Sequence, residues 1–217
     1  MNDFKAALID LDGFLISSEE LFFETNKVYF KQFGLERFTP EMHRNGIGVK
    51  AVVEMQKYKD KGFVKTNLSP EEIADGRDKL YWQLAKDKLA LTRGALEFLH
   101  TVKANFKTAL VTSSKREYLD LVFSLFDIAK YFDVIVTGDV VLKGKPEPDP
   151  YLVSAEKLNV DPKECVVFED APAGVLSGKA AGMFVVAVPN RFVVGDLAFD
   201  RADKVFADLI EVEKWLK

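Results

Sequence analysis

Unbroken apolar runs constrain the fold of this chain more than any other feature. They fall at residues 6–9, 109–111, 134–136, 166–168 and 184–188, with a weaker candidate at 204–206. A strand with one wet face alternates apolar and polar residues; a run without alternation suits a strand covered on both faces, the habit of parallel sheets. Residues 116–130, 150–158 and 173–181 read as helices between these runs, with Gly182 as a C-terminal cap. Strands alternating with helices predict an α/β fold, a Rossmann-like doubly wound parallel sheet.

The alternation stops between the first run and the second. From residue 17 to residue 89 no segment reads as a strand. Residues 18–33 open on Ser18 as a cap with an acidic first turn and close before Gly34; residues 40–58 form a second helical stretch. In a third, at 69–88, Ser69 is the cap, Pro70 takes the first helical position and Glu72 stands three residues on. A crossover needs only about a dozen residues. The longer one here predicts an all-helical cap domain, 17–89, inserted into a catalytic core of 1–16 and 90–217. That division explains a length of 217 residues, which sits between one domain and two.

Composition excludes several classes. A 48% hydrophobic fraction is incompatible with overall disorder, and a net charge of −4 argues against a nucleic-acid partner. A phosphate-handling protein of this charge must concentrate its cations locally. The single cysteine, Cys165, excludes an internal disulfide and a cysteine-cluster zinc site, and two distant histidines, His43 and His100, exclude a multi-histidine metal centre. The start, Met1-Asn2-Asp3-Phe4-Lys5, lacks the basic stretch and apolar run of a secretory signal, and no run reaches membrane-spanning length. A cytoplasmic protein without a membrane partner is expected, with a monomer as the default.

Open α/β sheets bind ligands at the carboxyl ends of their strands. The first run ends in Asp10-Leu11-Asp12-Gly13, the second in Thr112-Ser113-Ser114 and the fourth in Glu169-Asp170; Lys145 follows the third in Gly144-Lys145-Pro146. Singly, each has an ordinary explanation as a turn, a helix cap or a solvated charge. Jointly, carboxylates, hydroxyls and an ammonium would have to reach one rim by accident. These groups suit phosphoryl transfer. Asp10 and Asp170 offer oxygen ligands to Mg²⁺, and Asp10 can also be a covalent nucleophile. Asp12 can protonate a leaving group and then activate water. Lys145, Thr112 and the amide of Ser113 can stabilise the transferring group.

The order of these motifs resembles the haloacid dehalogenase superfamily, in the branch with a helical cap after the first motif. That branch includes β-phosphoglucomutase and sugar-phosphate phosphatases. The resemblance spans nearly the whole chain, including Phe168-Glu169-Asp170-Ala171-Pro172 and Ala180-Ala181-Gly182-Met183. It implies Asp10 as nucleophile, Asp12 as acid and base, and Thr112 and Lys145 as phosphoryl ligands. It also implies Mg²⁺ on Asp10, Asp170 and the Asp12 carbonyl, with Glu169 supporting or ligating it. The expected activity is a magnesium-dependent phosphatase acting on a small phosphate ester. A phosphosugar mutase is the alternative, and a binding protein without turnover the third reading.

Asp12 disfavours a dehalogenase, whose leaving group needs no proton. Phe22 stands where mutase-like chains place a histidine, which weakens the mutase reading. Phe14 after Gly13 predicts an apolar lip to the site. In the cap, Arg44, Asn45 and Lys50 flank Gly46-Ile47-Gly48 and are expected to face the substrate, with Lys50 and Phe22 the binding residues chosen. Phe23, Phe30, Phe33, Met42 and Met55 read as core, and Cys165, His43, His100, Trp82 and Trp215 as structural.

Overall fold

The apolar runs form β1 (Ala6–Ile9), β2 (Lys107–Val111), β3 (Val134–Val136), β4 (Cys165–Glu169), β5 (Phe184–Ala187) and β6 (Lys204–Val205). The computed structural model describes residues 4–217; Met1, Asn2 and Asp3, part of the start read for a leader, lie outside the described residues. All neighbouring strands pair in parallel, in the order β3-β2-β1-β4-β5-β6. Every residue of β1 is buried, which is why its sequence does not alternate. Ala6 and Leu8 join a cluster with Tyr151 and Ala155 of α7 (Asp149–Leu158) and Val175 of α8 (Pro172–Ala180). Ala7 and Ile9 point the other way. They pack with Phe98 and Leu99 of α5 (Ala95–Asn105), Leu119 of α6 (Arg116–Leu125) and Leu209 of α9 (Leu209–Leu216). Each large side chain so buried contributes about 1.5–3 kcal/mol, so the sheet centre dominates stability.

The chain leaves this core after β1 and returns before α5 through two segments that pair with each other. Ser17 N–H donates to Ala90 O and Thr92 N–H to Leu15 O, both at 2.9 Å. Between them lie α1 (Glu19–Tyr29), α2 (Pro40–Arg44), α3 (Ala51–Asp60) and α4 (Pro70–Lys88), an all-helical cap in which α4 packs against both α1 and α3. The α4 start is the expected reciprocal cap: Ser69 Oγ accepts from Glu72 N–H at 3.2 Å, and Glu72 Oε2 from Ser69 N–H at 2.7 Å. Such a cap contributes about 1 kcal/mol.

Several helix readings are corrected. The stretch 116–130 is helical only to Leu125, because Ile128 and Tyr131 turn inward to the core and need a separate 3₁₀ turn, Ala129–Tyr131. The stretch 40–58 breaks at 45–50, where Gly48 is left-handed (φ 80°). The stretch 18–33 becomes a 3₁₀ turn at Phe30 and ends at left-handed Gly34. Ser18 does not cap α1 with its side chain; its Oγ accepts instead from Gly13 N–H at 3.1 Å. Among the described residues no helix is long and apolar enough to cross a membrane.

Candidate active site

The sheet order reverses at β1, which has β2 on one side and β4 on the other, so the crevice opens at their carboxyl ends. Asp10 follows β1 directly, and its N–H continues the ladder onto Phe168 O at 3.0 Å. That register delivers the Asp10 carboxylate beside Glu169 and Asp170. The turn after it requires Gly13: its φ is 83°, and a Cβ there would lie 2.0 Å from Asp170 Oδ2.

A buried charge cluster forms the floor. Lys145 Nζ donates to Asp10 Oδ1 at 2.6 Å, Glu169 Oε1 at 2.5 Å and Val111 O at 3.0 Å, so all three ammonium hydrogens are engaged. Glu169 also accepts from Tyr151 OH at 2.6 Å and from the amides of Asp170 and Ala171. Asn190 Nδ2 donates to Asp170 Oδ2 at 2.7 Å, while Asp170 Oδ1 is buried with no partner among the described residues. Burial pushes the Asp10 carboxyl well above the usual range, against the pull of Lys145. Asp170 rises likewise, through burial and then the charge of Asp10. Burial also opposes the charge on Lys145, but Asp10 and Glu169 outweigh it and raise the ammonium. Oxygens of Asp10, Glu169 and Asp170 lie within 4.8 Å of one another. Three carboxylates facing one ammonium, with one oxygen orphaned, fit a hard divalent cation.

Asp12 sits above this cluster in a separate set of hydroxyl donors. Its Oδ2 accepts from Ser114 Oγ at 2.8 Å and Thr112 Oγ1 at 3.3 Å, and its Oδ1 from Tyr118 OH at 3.0 Å. Tyr118 OH lies 3.1 Å from Tyr81 OH of α4, linking Asp12 to the cap. Withdrawal from solvent raises the Asp12 carboxyl, with Ser114 opposing. Sequence reasoning quoted Ser114 without giving it a role and missed Tyr118 and Tyr151. Tyr118 stands in the first turn of the helix after Thr112-Ser113-Ser114, the one signal available.

Asp10 and Asp12 open onto a cavity of about 280 Å³ between core and cap. Thr112, Ser113, Phe22 and Lys50 line it; Lys145, Glu169 and Asp170 lie beneath, outside its lining. The Ser113 hydroxyl donates to Gly48 O at 2.9 Å and Lys50 Nζ to Val141 O at 2.6 Å, so both pin the 45–50 loop onto the core. Phe22 stacks on Tyr81, with ring centroids 3.8 Å apart. Arg44 does not line the cavity; it donates to Phe192 O and Val194 O, closing the cap on the core. Phe14 forms no lip, because it is 1% exposed and packs on Phe98 and Phe168. His43 and Trp82, read as structural, line the cavity, as do Asn26, Glu54 and Arg77. The cysteine reading agrees: Cys165 is fully buried.

Residues 7–188 match the family of haloacid dehalogenase-like hydrolases. The chain belongs to that family. Its sequence is 35% identical over 182 residues to a phosphorylated carbohydrates phosphatase of Thermotoga maritima, covering 82% of each chain. It is 34% identical over 216 residues to a validoxylamine A 7'-phosphate phosphatase of Streptomyces hygroscopicus subsp. limoneus, covering 98% of this chain and 97% of that one. The fold is similar to that of CbbY from Rhodobacter sphaeroides, solved with phosphate, with a TM-score of 0.85, 24% identity and 96% of each chain covered. In this haloacid dehalogenase-like hydrolase the motif residues meet at the rim of the sheet, and the cap supplies the rest of the cavity.

Proposed function

We propose that the protein is a Mg²⁺-dependent phosphatase that frees inorganic phosphate from a small phosphorylated metabolite, a sugar phosphate or similar monoester, through an aspartyl-phosphate on Asp10. One observation carries this reading: Asp10 and Asp12 both open onto a roofed cavity, and Asp10 belongs to a buried acidic cluster, with Glu169 and Asp170, that has an orphaned oxygen. The relatives named as phosphatases support it.

Asp10, Asp170 and the Asp12 backbone carbonyl would hold Mg²⁺, with Glu169 in support, and the cation would neutralise phosphoryl oxygens. Asp10 is turned and held by Lys145, leaving its second oxygen to attack phosphorus. As the ester P–O bond breaks, protonated Asp12 gives its proton to the departing oxygen. Asp12, now a carboxylate, takes a proton from water as that water attacks the acyl phosphate. Inorganic phosphate leaves and Asp10 is restored. Ser114 and Tyr118 hold the Asp12 carboxylate through both steps. Thr112 and the amide of Ser113 supply donors around the phosphoryl group, Lys145, its three hydrogens already engaged, supplies positive charge from beneath, and Lys50 and Phe22 shape the cap side. Closure of the cap excludes competing water during the first step. The lone buried Cys165 supports a reducing, cytoplasmic setting.

Phosphate release from a panel of sugar phosphates, nucleotides and smaller esters tests the proposal. Release should require Mg²⁺, cease with EDTA and vanish in Asp10→Asn; turnover that survives either change overturns it. Phe22, stacked on Tyr81, offers no acid–base group where a mutase-like chain carries histidine.

A further inference from the structure

Asn26 of α1 is fully buried and lines the cavity, yet neither its amide nitrogen nor its amide oxygen has a partner among the described residues. The large majority of buried side-chain polar atoms have a hydrogen-bond partner. On the same cavity lining, His43 is 3% exposed with Nδ1 unpartnered. Its Nε2 lies 3.0 Å from Glu19 Oε2 but is not aligned for a hydrogen bond. The roof of one cavity thus holds both spare donors and spare acceptors. Hydroxyl groups both donate and accept, and match such a surface; a phosphate dianion only accepts, and would face the Glu19 carboxylate.

The cations on the lining point the same way. Arg77 is committed to Glu54 at 3.1 Å and Asp78 at 2.7 Å. Lys115 pairs with Asp75 at 2.7 Å, and Lys50 donates to Val141 O and Leu142 O. Acidic side chains outnumber basic ones around the cavity. We infer that Asn26, His43 and Glu19 form a subsite for the uncharged, hydroxyl-bearing remainder of a monophosphate ester, a polyol or sugar, and that the cap has no seat for a second phosphate. This rests on the phosphatase reading and narrows its substrate class.

Binding separates the two claims, because it needs no turnover. Calorimetry on the Asp10→Asn protein with Mg²⁺ should show a hexitol monophosphate binding at least tenfold more tightly than a hexitol bisphosphate. Asn26→Leu in that background should erase most of that preference. In the active enzyme, Asn26→Leu should raise the KM for the hexitol phosphate at least tenfold more than the KM for p-nitrophenyl phosphate, which has no hydroxyls. It should also raise the melting temperature, since it removes an unpartnered amide. Tighter binding of the bisphosphate, lost in Lys50→Met, overturns the inference. So does a fall in melting temperature with equal KM changes on both esters, which would make Asn26 structural. Absence of hydrolysis alongside the expected binding preference would sink the phosphatase reading and leave the subsite standing.

Discussion

The floor and the roof of the cavity are built by opposite means. In the floor, Asp10, Lys145, Glu169 and Asp170 follow strand ends fixed by the sheet register, and nearly every polar atom is spent on a neighbour. In the roof, Asn26, His43 and Glu19 come from helices and keep polar atoms in reserve. A site that performs one reaction on one group benefits from groups locked in place before substrate arrives. A site that selects among molecules needs capacity that only the ligand completes. The floor is therefore expected to govern turnover of every ester, and the roof to govern which ester binds.

Asp10→Asn puts the largest load on that division. It removes the nucleophile while keeping the side-chain volume, and should lower kcat on the order of 10³-fold or more for every ester, with KM little changed. A loss confined to some esters would break the comparison. Next in size are two matched changes to buried ion clusters. Lys145→Met leaves Asp10 and Glu169 without their shared cation, and Arg77→Met does the same to Glu54 in the roof. Each should cost about 3–5 kcal/mol in a denaturant titration, the range for a buried charge stripped of its partner. Only Lys145→Met should also take kcat down for p-nitrophenyl phosphate; an equal fall in Arg77→Met would show roof and floor to be one unit.

The same contrast explains how much could be read without coordinates. Strand-end position follows from one-dimensional periodicity, so Asp10, Asp12, Thr112 and Glu169-Asp170 were legible as one rim. The α4 cap was legible because Ser69, Pro70 and Glu72 act within four residues. The roof was not, since which face of α1 carries Asn26 inward depends on how α4 and the core pack against it. His43, with no triad partner visible in the sequence, and Trp82, a packing residue by default, read as structural, although both line the cavity. Helices α5 and α9 were not singled out: α5 starts at a left-handed Gly94 with no side-chain cap, and α9 is short. Lys50 lines the cavity as expected and Arg44 does not, and the cations of both are spent on core carbonyls, a tertiary fact that no local pattern encodes.

Tyr118 is where floor and roof meet, through Asp12 on one side and Tyr81 on the other. Tyr118→Phe removes both hydrogen bonds and little volume. It should cost about 1 kcal/mol of stability and lower kcat about tenfold on all esters, since Asp12 loses one of its holders. An effect on KM alone would move Tyr118 from the floor to the roof.

The smallest effect is read at Cys165, the first residue of β4, whose far end carries Glu169. Burial pushes its thiol up to about 12. The thiolate is the reactive form, so at pH 8 the native thiol is protonated and inert, whereas an unfolded cysteine titrates near about 8.5. The native state therefore holds a proton that the unfolded chain releases between those values, and stability must fall as pH rises through that window. At pH 8, alkylation of the sole thiol should follow opening of the sheet and nothing smaller. Mg²⁺ with phosphate, bound at the floor, should slow labelling. Asn26→Leu should not hasten it, because a change confined to the roof leaves the sheet closed. Labelling that accelerates in the roof variant would mean that the cap and the sheet open together, and the separation between selecting and reacting regions would fail at its mechanical root.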